Sequence, residues 1–139
     1  MLPVLQPFLA SFARWYTPAT AQGRLGWQMT LNSTMLSVLI FLHPFPWGAL
    51  LAMLGLLAAT VWLHGRGSLG LLALFGGLGW VGEVWMTWLG GVWRHAAPVE
   101  CGVLCGGWLG VPFFMAPAWA LVGALMLALV GYMMPKLRA

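Results

Sequence analysis

Four apolar stretches, each long enough to cross a bilayer, constrain this chain more than any other feature. They run at about 27–42, 47–63, 69–91 and 111–134, and between Trp27 and Met134 only Arg66, Glu83, Arg94 and Glu100 carry formal charge. Backbone N–H and C=O groups in hydrocarbon have no water to bond, so segments of this length satisfy themselves as helices. The expected fold is all-α: a polytopic membrane protein whose four-transmembrane-helix bundle is preceded by a short interfacial N-terminal helix. A chain of 139 residues has room for one domain, and 62% hydrophobic against 6% charged residues leaves a soluble protein almost nothing to put on its surface. Ten tryptophans and nineteen glycines agree, since aromatic residues gather at membrane interfaces and glycine is common in transmembrane helices.

Residues 1–26 read as the interfacial helix and a linker, 27–134 as the membrane domain and 135–139 as a tail. No basic region precedes the first apolar run and Pro3 and Pro7 interrupt it, which is unlike a signal peptide. Phe8, Leu9, Phe12 and Trp15 fall at helical spacing with Arg14 placed to reach head groups, and the polar run Thr17 to Gly23 follows as a linker. The first span is polar, with Thr30, Asn32, Ser33, Thr34 and Ser37, and that side faces the bundle interior. Pro44 and Pro46 force a tight turn and an antiparallel hairpin between the first two spans. Pro112 and Pro117 are expected to kink the fourth.

Glu83 is the exceptional residue. A carboxyl group deep in hydrocarbon costs at least a few kcal/mol unless it is neutral, paired or wetted, so it marks either a functional site or a polar tie between helices. Leu72, Gly76, Gly79, Glu83, Met86 and Gly90 share one helical stripe, which turns the acid toward a glycine-lined face that a neighbouring helix can approach. Counting about 1.5 Å per residue inward from the helix ends puts Glu83 level with Met35, Gly55 and Trp119. The candidate ligand-binding set is therefore Glu83, Trp80, Asn32, Thr34 and Trp119, and Glu83 alone is a candidate catalytic group.

Cys101 and Cys105 lie four apart in the loop after the third span, where three readings stay open: a disulfide, a metal pair with His95 and Glu100, or two inert small residues. No metal is expected, because no second pair of ligands accompanies them. His43, His64 and His95 all fall at span boundaries rather than inside a span, as interfacial residues with wet tips, so no haem or other cofactor is expected. The basic residues are scattered singly and form no stripe that could follow a phosphate backbone, which excludes nucleic acid as a partner. Arg14, Arg24, Arg66, Lys136 and Arg138 fall on one side of a four-span chain, which by the positive-inside rule puts both termini in the cytoplasm of a bacterial inner membrane.

The polar first span with Asn32, the His43-Pro-Phe-Pro-Trp-Gly48 turn, a second span ending in His64, an acid after glycines and Ala116-Pro-Ala-Trp119 together resemble the bacterial inner-membrane domain-of-unknown-function family 2878. The resemblance covers about 27–134 and implies a four-helix fold without an assigned activity. Aspartate would be expected where Glu83 stands, and a second tryptophan soon after Trp119. A weaker similarity links Glu83 and the region from Gly110 to Trp119 to membrane proteins of carotenoid hydration and cyclisation, which implies Glu83 as proton donor to a polyene.

Three functions remain open from the residues. The chain acts without chemistry of its own, as an accessory subunit of a membrane-protein partner or homo-oligomer, or as a binder of a lipid-like molecule near Glu83. The second is an enzyme on an apolar lipid or isoprenoid with Glu83 as general acid. The third is a proton-coupled carrier working as an oligomer. The absence of aspartate and of any nucleophile beside a base favours the first.

Overall fold

The computed structural model describes residues 13–89 and 106–137 together with Pro7, Ala10 and Val103, and for Trp88 and Leu89 the backbone alone. Arg94, His95, Glu100, Cys101 and Cys105 lie outside the described residues, as does most of the expected interfacial helix. The helices are α1 (Ala21–Leu42), α2 (Pro46–His64), α3 (Leu69–Val84) and α4 (Met115–Leu137). A 3-10 turn, Arg66–Ser68, leads into α3, and a π-helical turn, Trp85–Leu89, continues it. Four segments, Ala21–Leu42, Pro46–His64, Arg66–Thr87 and Met115–Leu137, are long and apolar enough to cross a membrane, and the chain is an all-α, multi-pass membrane protein.

α1 starts six residues earlier than the sequence suggests, because Thr20 caps it: its hydroxyl accepts from Gly23 N at 2.9 Å. The last part of the expected linker is therefore helix. The segment before it lies across the first turns of α1, where side chains on Gly23 or Gly26 would collide with the carbonyls of Thr17 and Trp15. Trp27 Nε1 ties it down by donating to Tyr16 O at 2.9 Å. At the other end of α1 the two-proline turn forms as expected, with Pro46 opening α2, where a missing N–H costs nothing.

α4 begins at Met115 rather than near Val111. Val111 and Pro112 form β2 (Val111–Pro112), paired antiparallel with β1 (Gly107–Trp108). Leu109 and Gly110 between them have φ of 52° and 77°, the two positive values of the tight hairpin turn whose twist matches its strands. Pro117 falls in the first turn of α4, where its nitrogen has no intrahelical bond to lose, so the expected kink does not arise there.

α4 is the hub: it packs against α1, α2 and α3, whereas α3 rests mainly on α4. Its buried positions are mostly small, including Ala118, Ala120, Gly123, Ala124 and Ala128, which lets three helices come close. Met35, Ala49, Met53, Phe114, Ala118 and Leu121 form the core between α1, α2 and α4. On the other side Phe75 fills the space over Gly123, and Trp119 fills that over Gly79, where any side chain would overlap the indole. Large apolar residues, such as Trp62 at 76% exposure, lie on the outer faces of the bundle.

Candidate functional site

Glu83 is buried at 6% exposure, facing α4 along the glycine stripe that also buries Leu72 and Gly76. Trp119 Nε1 donates to its Oε1 at 3.1 Å. That bond depends on Gly79, one turn before the acid, which admits the indole against the backbone of α3. The depth count thus places Trp119 beside Glu83 correctly.

Two further polar atoms share this face of the helix. Trp80 and Thr87 stand three residues before and four after Glu83, so all three side chains project within about one sixth of a turn. Trp80 Nε1 and Thr87 Oγ1 are buried with no hydrogen-bond partner. Each such atom costs about 1–3 kcal/mol in desolvation that nothing returns, so the pair needs an account. Thr87 lies in the π-helical turn, a distortion that recurs where helices build sites. The β hairpin covers this end: Trp108 stacks on Trp80 with ring centroids 5.9 Å apart and planes 16° apart, and a side chain on Gly110 would meet the Thr87 methyl at 3.4 Å.

Trp119 also faces outward. Its ring joins Met35, Leu36 and Leu39 of α1 and Met115, Ala118 and Val122 of α4 around a groove of about 200 Å³ that has a wholly apolar lining. One indole therefore has its N–H on the acid and its ring on the lipid-facing groove.

Asn32 and Thr34 do not join this site. Asn32 Nδ2 donates to Leu121 O at 3.2 Å, and Leu121 lies about 200° around α4 from Trp119, on the opposite face. Thr34 is exposed and donates to Thr30 O at 3.0 Å, within its own helix. Gly55, level with the acid by count, faces outward with nothing within 4 Å. Depth along a helix says nothing about rotation around it.

Asn32 belongs instead to a second polar group. Gln28 Nε2 donates to Asn32 Oδ1 at 2.8 Å, and His64 Nε2 meets Gln28 Oε1 at 3.1 Å, so the imidazole donates there when that nitrogen carries its proton. Gln28 is fully buried. The sequence reading missed it, although Gln28 and Asn32 are four apart and so share one helix face. His64, expected to be an interfacial residue with a wet tip, is half-buried and joined to this chain. Thr60, one turn earlier on α2, is fully buried with its hydroxyl unpaired.

Among the described residues no group of three histidines, cysteines or acids stands close enough to hold a metal. Among the described residues Glu83 is the one acid, and with its indole and hydroxyl neighbours it can hold and orient a polar group. No protein-family model, curated protein sequence or solved structure matches the chain.

Proposed function

We propose that this is a bacterial inner-membrane protein, with both termini in the cytoplasm, that binds a lipid-like molecule beside Glu83 rather than transforming it. The observation that carries the reading is the double duty of Trp119, whose ring walls an apolar groove while its N–H ends on the buried acid. An amphiphile laid in that groove brings a polar end toward Glu83, Trp80 Nε1 and Thr87 Oγ1, two of which have no partner. Kinship with the family named above belongs to the same proposal and adds a fold, not an activity.

The test is gentle purification followed by mass spectrometry of all lipids and proteins that leave with the chain. One enriched amphiphile, diminished in Trp119→Ala and Glu83→Gln, is the expected outcome; recovery of bulk lipid alone in proportion to the membrane would reject it. A second reading, an accessory subunit, is favoured by Gly77 of α3 and Gly55 of α2, which face outward with nothing within 4 Å and would let a partner helix approach closely. A stoichiometric protein in the same measurement would select it.

A further inference from the structure

The end of the bundle opposite the acid holds the N-terminal segment, the start of α1 and the end of α4, and its chemistry is different. Arg14, Arg24, Arg66 and Lys136 all lie there, while the only acid among the described residues, Glu83, is at the far end. Arg24 spends its guanidinium on Pro18 O and Ala19 O at 3.3 and 3.2 Å, and Lys136 is held over the Tyr132 ring, 3.9 Å from its centroid. Arg14 and Arg66 meet no acceptor among the described residues. A cationic face with no acid beside it among the described residues draws counter-charge from outside them, and beside a bilayer that source is the lipid phosphate.

A groove of about 530 Å³ opens at this end, lined by Trp15, Tyr16, Gly26, Met29, Thr30 and Ser33. It exists because the segment of Trp15 and Tyr16 crosses α1 at Gly26, with Trp15 O where a side chain on that glycine would be. Its lining joins the apolar Met29 and Trp15 to the hydroxyls of Tyr16, Thr30 and Ser33, the mixture that a glycerolipid meets between chain and ester. Trp15 leans on Tyr132, ring centroids 6.2 Å apart, so the Lys136 ammonium stands one ring beyond the groove, and Arg14 adjoins Trp15 in the chain.

We propose that this groove binds one anionic phospholipid of the adjacent leaflet, an acyl chain lying against Met29 and Gly26 and the phosphate between Arg14 and Lys136. The site is independent of the one at Glu83, and charge complementarity distinguishes it from the apolar groove at Trp119.

Native mass spectrometry of the full chain, titrated with equimolar phosphatidylglycerol and phosphatidylethanolamine, tests it. One equivalent of phosphatidylglycerol should be retained in preference, and the Arg14→Gln, Lys136→Gln double variant should lower that preference on the order of tenfold. Both side chains are exposed, so the double variant keeps the fold, which circular dichroism and size-exclusion chromatography verify. Trp15→Ala should reduce retention of both lipids, while Trp119→Ala and Glu83→Gln should leave the preference unchanged. Equal retention of the two lipids, an unchanged double variant, or displacement by free glycerophosphate at matched concentration would each overturn the proposal.

Discussion

The two faces of α4 carry polar groups of opposite character. Toward α1 and α2, a chain of bonds runs from His64 through Gln28 and Asn32 to Leu121 O, each link joining a donor to an acceptor. Toward α3, Glu83 takes the Trp119 N–H, but Trp80 Nε1 and Thr87 Oγ1 beside it stay unpaired. Connected polar networks hold helices in one arrangement, whereas partly satisfied ones invite a ligand or water. Thr60 Oγ1 is unpaired on the α2 side as well, so what marks the candidate site is two unpaired atoms on the helix face of a buried acid.

The largest effect is expected at Gly79. Gly79→Val would push the Trp119 ring out of its place and part α3 from α4, at a cost of about 3 kcal/mol, as overpacking a tight contact does; unfolding measured by steric trapping in bicelles should show it, with the same purified variant failing to retain its amphiphile. Asn32→Leu attacks the other face. It strands Gln28 and frees the Leu121 carbonyl, which should destabilise the fold by roughly 1–2 kcal/mol in the same assay and leave ligand retention beside Glu83 intact. Loss of ligand in Asn32→Leu would show that the two faces are coupled.

The unpaired hydroxyls sharpen the contrast. Thr60→Val and Thr87→Val each replace a buried hydroxyl without a partner by a methyl of the same shape, so both should stabilise the protein by about 1 kcal/mol. Only Thr87→Val should weaken ligand retention. The smallest effect is expected for Glu83→Gln on stability, within about 0.5 kcal/mol, because an amide oxygen still accepts the Trp119 N–H; a clear loss of fold would show that the carboxyl group is a structural tie.

Much of this was legible in the residues. Span number, the two-proline turn and the glycine face of α3 follow from apolar length, proline chemistry and helical spacing, and counting inward along antiparallel helices puts Trp119 at the depth of Glu83 but does not give the bond between them. What the count lacks is rotation: Thr34, near the acid in depth, turns outward, and Asn32, marked out by its polarity, has α4 between it and the acid. The start of α4 is hidden for another reason: Leu109 carries no turn signal, and an apolar run through Val111 and Pro112 has the composition of a membrane helix whatever its backbone does. Gln28 sits among many polar residues of α1, and only its partner on α2 distinguishes it.

The central place of α4 bears on the order of assembly. α1 and α2 can close on each other as soon as their turn has been made, but α3 emerges from the ribosome before the helix on which it rests. Until the last span arrives, Glu83 has no indole to meet and the glycines of α3 have no ring to receive. Insertion of this chain thus includes an interval in which a carboxyl-bearing helix must be sheltered by the insertion machinery or by lipid head groups, and a truncation ending before Met115 should be degraded rather than accumulate as a smaller stable bundle.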